Sequence, residues 1–406
     1  MRRRVVRAVV AVAAAVALGA LVDAGTLGAA DKNDTKRPPQ TEQQGFESHN
    51  ELARDASPSR RAAQYSAWIV ESSRFMDVPF RAFMPDRGDR PTVNLPVNVG
   101  IIKAANGDIT LYDSGWMQLA YIYNWNSSCC WHPIRQQMTK IGLNPDRVKR
   151  IVVGHAHWDH AGQLSEFPNA ILYIQKEELK QIDYFLGYPK RFNDGHIHSV
   201  NTVDRHSFDD LQDLLAGGGT QFGPPQQDCA RSPVCGYPPQ TLHEIFGKVL
   251  HGKAHIIDGR HEIEDGLIIH PAFRGHTYGS QLLQVNTSVG QLVFGSDTYS
   301  SWEGIRDWNV ANIQQTDTIQ QMLAYEKCYA LTSTSAGSFN NCIAAHEPKA
   351  YTAEYPITAN WWNIPAGNCS RAAELVLSNG ERSRVPASPD RVYCENRVPP
   401  PHTIEK

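Results

Sequence analysis

The segment VVGHAHWDHAGQ, Val152 to Gln163, places three histidines and an aspartate within six residues. Imidazole nitrogen and carboxylate oxygen are the ordinary protein ligands of Zn2+ and similar divalent ions. His155 and His157 are two apart, so in an extended turn they project to the same side, while Asp159 and His160 follow one bend later and can face a second ion. Surface histidines clustering by chance would give H-x-H-x-D-H in roughly one chain in a thousand of this composition, so the motif reads as a metal site. The HIH at His196 and His198 lies in a polar loop and carries no such pattern. Six residues cannot complete two metal sites, so further ligands must come from elsewhere in the chain.

The elements that position the turn are legible around it. DRVKRIVVGHAH reads as a buried strand running into the histidines, and AILYIQKEELKQIDYF as a strand followed by a helix. Two β-branched runs flank Asn106-Gly107 in VNVGIIKAANGDITLYDSG, a hairpin signal. Strand signals return in AHIIDGRHEIEDGLIIHPAFRGH and in the hairpin SQLLQVNTSVGQLVFGSD, and Asp317 to Tyr329 reads as helix. Strands with interspersed helices make the fold class α/β or α+β.

The domain reading follows from texture. Residues 1–30 combine four arginines in the first seven positions, an apolar run from Ala8 to Val22 and small residues at Gly28 and Ala30, as a secretory signal peptide does. The run is shorter than the ~20 residues of a spanning helix, so no stable membrane anchoring is expected. Residues 31–60 are polar and proline-containing, a flexible lead-in. The main domain spans 61–365, within which 187–250 is loop-like and reads as an inserted cap, and 366–406 reads as a disulfide-tied tail. Eight cysteines fit an exported protein, with Cys229–Cys235, Cys328–Cys342 and Cys369–Cys394 the local pairings expected, and Cys129–Cys130 too close to bridge each other. The chain has 406 residues and a net charge of −3, which gives no electrostatic case for nucleic acid. Oligomeric state is not legible in the sequence.

H-x-H-x-D-H closely resembles the motif of the metallo-β-lactamase-fold hydrolases, and the resemblance runs from about Val97 to Pro348. It implies an αββα sandwich and three further ligands at strand ends: His276 in FRGHTYGSQ, Asp297 in LVFGSDTYS and His346 in CIAAHEP. Carried over position by position, His155, His157 and His276 hold one ion, Asp159, His160 and His346 hold a second, and Asp297 bridges them. Asp113 in LYDSG would pack beneath the site. The resemblance thus implies two Zn2+ per chain, although the same ligands accept Mn2+, Fe2+ or Co2+. It also implies hydrolysis by a hydroxide bridging the ions, with Asp159 orienting it and passing a proton to the leaving oxygen.

Within that superfamily, Asp297 argues against true β-lactamases, which lack the bridging carboxylate, and the absence of H-x-E-x-D argues against flavodiiron oxygen reductases. The segment IEDGLIIHPAFRGHTYGSQLLQVNTSVGQLVFGSDTY is most similar to the N-acyl homoserine lactonases. That branch implies a small-molecule lactone or ester substrate and a tyrosine on its carbonyl. Tyr299 is the candidate, two residues after Asp297 rather than the branch's three, and Tyr278 is a second. Export and the long 187–250 segment depart from that branch, so a secreted esterase or phosphotriesterase resembling methyl parathion hydrolase, or a glyoxalase II-like thioesterase, stands as the alternative. Trp158 in the metal turn and Trp131 in SCCWH could line an apolar pocket, with core packing the other role for Trp131. A catalytically silent binding protein on the same fold is a different class, and retention of every ligand position speaks against it.

Overall fold

The computed structural model describes residues 62–87, 91–117, 128–129, 131–186, 237, 239–299, 301–311, 317–332, 339–364 and 370–392. The leader, the lead-in, most of the 187–250 segment with His196 and His198, and Cys130, Cys229, Cys235, Cys369 and Cys394 lie outside the described residues. No helix among the described residues is long and apolar enough to cross a membrane.

Among the described residues, fourteen strands form two sheets. The larger contains β1 (Ser66–Pro79), β2 (Thr92–Lys103), β3 (Ile109–Tyr112), β4 (Ser128–Cys129), β5 (Val148–Val152), β6 (Ile171–Gln175), β7 (Ala254–Ile257), β13 (Asn360–Asn363) and β14 (Arg371–Val376). Its order is β13-β14-β1-β2-β3-β5-β6-β7, with β4 paired to β1. The smaller sheet has the order β12-β11-β10-β9-β8, from β8 (His261–Glu264), β9 (Leu267–Pro271), β10 (Gln281–Thr287), β11 (Gly290–Ser296) and β12 (Cys342–Ala344). The described helices are α1 (Phe80–Phe83), α2 (Ile134–Lys140), α3 (Lys176–Leu186), α4 (Pro239–Leu250), α5 (Trp302–Arg306) and α6 (Thr318–Thr332).

Strand alternation builds the layers, because successive side chains leave opposite faces. Leu283 and Val285 of β10 and Leu292 and Phe294 of β11 join Ile69, Ile102 and Tyr112 of the larger sheet in one cluster between the sheets. Their neighbours Leu282 and Val293 face outward against Ala324, Tyr325 and Cys328 of α6. On the far side of the larger sheet, Ile101, Leu111 and Ile151 pack on Ile134 and Met138 of α2 and on Leu242 and Ile245 of α4. The order helix, sheet, sheet, helix is the αββα sandwich expected.

Two boundaries drawn from sequence are corrected. Pro239–Leu250, read as the end of a cap, is a core helix whose Leu242 and Ile245 are buried beneath the larger sheet. Arg371–Val376, read as tail, is a strand paired with both β1 and β13. A disulfide joins Cys328 of α6 to Cys342 of β12, as the local pairing expects.

Candidate metal centre

The turn after β5 is built for close approach. At Gly154 a Cβ would lie 2.3 Å from the Cβ of Ser296 and 2.5 Å from the Tyr112 hydroxyl, so only glycine lets β5 meet the end of β11 there. That contact brings the histidine turn against Asp297, which follows β11 directly. His276 arrives on the loop between β9 and β10, and His346 two residues beyond β12. The seven expected ligands therefore converge, all from strand ends of the two sheets.

They divide into the two sets the sequence suggests: His155, His157, His276 and Asp297, and Asp159, His160, His346 and Asp297. Asp297 is shared, with one carboxylate oxygen toward each set. Its Oδ2 lies 3.3 Å from His276 Nε2 and 3.9 Å from His155 Nε2. Its Oδ1 lies 2.9 Å from His346 Nε2 and 3.0 Å from His160 Nε2. His157 Nδ1 is 3.1 Å from His276 Nε2, and Asp159 Oδ2 is 3.2 Å from His160 Nε2 and 3.3 Å from His346 Nε2. Ligands near 2 Å from a common tetrahedral ion stand about 3 Å apart, so both sets have the spacing of a coordination shell.

Hydrogen bonds behind the ligands decide which ring nitrogen faces the centre. Asp113 Oδ2 accepts from His160 Nδ1 at 2.9 Å and from the Ser296 hydroxyl at 2.8 Å, while its Oδ1 accepts from the Gly154 N–H at 2.6 Å. His155 Nδ1 meets Ser296 Oγ at 3.2 Å, and His346 Nδ1 donates to the Pro96 carbonyl at 2.8 Å. With Nδ1 carrying the proton, each Nε2 keeps its lone pair for a metal. Asp113 and Ser296 both hold positive φ, 64° and 50°, a local cost found where a site fixes its geometry. His155 Nε2, His160 Nε2 and Asp297 Oδ1 are buried without a hydrogen-bond partner, which a divalent ion at each set would satisfy.

The electrostatics separate the two sets: burial lowers the three histidines of the first. In the second, burial is outweighed by Asp159, Asp297 and Asp113 at His160, which is held well above the usual imidazole range, and by Asp297 and Asp159 at His346, which rises to about 10. An ion there must displace protons. Burial, with His160, His157 and His276 alongside, holds His155 well below the usual imidazole range, and burial next to His276 takes His157 down to about 3. Burial opposes ionisation of Asp159 and Asp297, but the neighbouring histidines outweigh it and hold both carboxyls low. Neutral imidazole and ionised carboxylate are the forms that ligate.

Tyr299 is a correction. It is fully buried among Leu282, Val293 and Tyr325, and its hydroxyl has no hydrogen-bond partner. Orienting a substrate carbonyl needs a hydroxyl open to substrate, and this one faces the core. Tyr278 is exposed beside the Arg274 guanidinium, 5.4 Å from the ring centroid. Sequence reasoning also missed Tyr237, whose ring lies 4.9 Å from that of His157. Beside His346 an aromatic wall forms, with Phe75 5.5 Å from the His346 ring, 4.6 Å from Trp116 and 5.8 Å from Trp158. Trp131 packs against that wall and donates its indole N–H to the Trp116 carbonyl at 2.9 Å.

The metallo-beta-lactamase superfamily model matches residues 92–309, more than half of the chain. The chain belongs to the metallo-β-lactamase superfamily. The match takes in six of the ligand positions, and His346 lies beyond it. No curated protein sequence matches significantly. Among solved structures, a quorum-quenching N-acyl homoserine lactone lactonase aligns at 14% identity over 73% of this chain and 97% of its own, with a TM-score of 0.47. A dizinc quorum-quenching lactonase in complex with its product aligns at 16% identity over 71% and 89%, TM-score 0.43. A hydrolase in the beta-lactamase superfamily aligns at 15% identity over 71% and 92%, TM-score 0.44.

Proposed function

We propose that this chain is an exported hydrolase with two zinc ions that opens a lactone or similar ester, with N-acyl homoserine lactones as the first substrate class. The observation that carries the reading is the division of the ligands into two buried sets sharing Asp297. When bound there, a pair of divalent ions lowers the pKa of water toward neutrality and polarises a carbonyl oxygen. His155, His157 and His276 would hold one ion, Asp159, His160 and His346 the other, and Asp297 both.

The chain's own groups supply the remaining chemistry. Asp159 is ionised at neutral pH and lies 3.3 Å from His346 Nε2 in the second set, where its carboxylate can take a proton from the attacking water. Water adds to the carbonyl carbon, the bond from that carbon to the ring or alkyl oxygen breaks, and Asp159 returns the proton to the departing oxygen. The acid produced ionises and releases one proton to solvent. Phe75, half-buried and backed by the buried Trp116 and Trp158, gives an acyl chain an apolar contact beside His346, and the similarity of the His276–Asp297 segment to lactonases supports the choice of substrate. The same contact suits an aryl leaving group, which keeps a secreted esterase or phosphotriesterase as the second reading. The leader at 1–30 and the Cys328–Cys342 disulfide support export.

The test is proton release, followed by pH-stat, when zinc-loaded mature protein meets a long-chain N-acyl homoserine lactone. Rapid acid production that a chelator stops is the expected result. Silence from protein shown to hold two ions would overturn the lactone assignment and turn the search to aryl esters, phosphotriesters and thioesters.

A further inference from the structure

Helix α3 carries a carboxylate on its inward face. Glu178 and Ile182, one turn apart, are both buried, Glu178 completely. A carboxylate so placed needs donors around it. Glu178 has four, and they sort by oxygen. Oε1 accepts from the Ala156 N–H at 2.8 Å and the Tyr237 hydroxyl at 2.9 Å. Oε2 accepts from the Thr277 hydroxyl at 2.6 Å and the Gly279 N–H at 2.9 Å.

Three of the four donors belong to the two loops that bear the three-histidine set, and the fourth, Tyr237, packs on one of them. Ala156 lies between His155 and His157, and Tyr237 rests its ring on His157. Thr277 follows His276 directly. One carboxylate thus grips the His155–His157 turn with one oxygen and the His276 loop with the other. At Gly279 a Cβ would stand 2.3 Å from the Glu178 backbone nitrogen, so loop and helix are in direct contact. The Tyr278 N–H adds a bond of 2.7 Å to Gln181 Oε1, one turn further along. None of the Glu178 bonds reaches Asp159, His160 or His346; Asp113 holds the His160 ring and the Pro96 carbonyl holds that of His346.

We propose that Glu178 is a positioning residue for one ion only: it sets the spacing of His157 and His276, and with it the affinity of the three-histidine site. This rests on reading the cluster as a two-metal centre. A carboxylate accepts from all four donors, whereas a glutamine has one oxygen and turns its NH2 toward the other two donors. Glu178→Gln therefore keeps the volume and disturbs one loop or the other. Hydrogen-bond partners behind metal ligands typically contribute tenfold to a hundredfold in affinity.

The experiment titrates metal-free full chain with Co2+ against a competing chelator and follows its visible absorption, with His276→Ala and His346→Ala identifying which step belongs to which site. Glu178→Gln should weaken the three-histidine step by roughly tenfold to a hundredfold and leave the other step in place. Thr277→Val, which removes one donor, should weaken the same step less, and Thr277→Ser, which keeps the hydroxyl, should restore it. These milder variants decide the matter if Glu178→Gln does not fold. Two wild-type steps in the folded variants, or equal weakening of both, would overturn the positioning role. Uptake of fewer than two Co2+ by the wild-type chain would overturn it differently, by removing the two-metal reading beneath it.

Discussion

Asp113→Asn isolates the hydrogen bonding beneath the second ion set. The aspartate accepts three hydrogen bonds, from the Gly154 N–H, the Ser296 hydroxyl and His160 Nδ1, and both it and His160 are buried. Asparagine fits the same space but accepts on one side only. With its oxygen toward His160, its NH2 meets the Gly154 N–H across 2.6 Å, and a buried donor is left unmet at about 1–3 kcal/mol. With the amide reversed, its NH2 points at His160 Nδ1, which must give up its proton and move it to Nε2, the atom that should face the metal. Either arrangement costs stability or ligation. Metal-free protein should lose about 1–3 kcal/mol in urea unfolding, and the Asp159–His160–His346 site should bind Zn2+ roughly tenfold to a hundredfold more weakly. Chelator competition reads the second quantity, and the three-histidine site, which Asp113 reaches only through Ser296 and the Gly154 N–H, should weaken less. A variant that keeps both affinities and full stability would refute the tautomer argument.

Other outcomes follow from separate features. Glu71 is buried and paired with Arg371 and Arg74, which outweigh burial and hold its carboxyl at about 2 against an ordinary 4.5. Its contribution, about 3 kcal/mol, is therefore complete above pH 4.5 and lost as pH falls toward 2, and Glu71→Gln should flatten the acid limb of a stability-versus-pH curve. Phe75→Ala opens the wall beside His346 and should raise KM about tenfold for long-chain substrates with short-chain KM unchanged; equal effects on both would show that the wall does not select. Removing metal should lower thermal stability, since ions at a hundredfold excess over their dissociation constant contribute about 2.7 kcal/mol per site; identical melting curves with and without chelator would contradict structural binding.

How much the sequence disclosed depended on how local each feature is. The turn from His155 to His160 is legible because ligand chemistry restricts residue type and the backbone restricts spacing. His276, Asp297 and His346 are legible only as a set, since each alone is an ordinary strand-end residue, and it was the superfamily resemblance that joined them. Alternating strands made the sandwich legible, but β14 was hidden because its partner β1 lies some 300 residues away and the run RAAELV carries weak alternation. Tyr299 shows the limit most plainly: its position after Asp297 suggested a role, while its side-chain direction, set by packing against α6, denied it. Glu178 and Tyr237 are invisible as site residues because their partners come from separate segments. One signal existed, the acid four residues before the apolar Ile182 on an amphipathic helix.

The central claim is that Asp297 joins two ion sites into one centre. Metal content per chain, measured on purified wild-type protein and on Asp297→Ala after equal exposure to Zn2+ and gel filtration, tests it most directly. The account predicts two ions in the wild type, fewer than two in the variant, and no turnover by the variant. Two firmly held ions and full activity without Asp297 would contradict it.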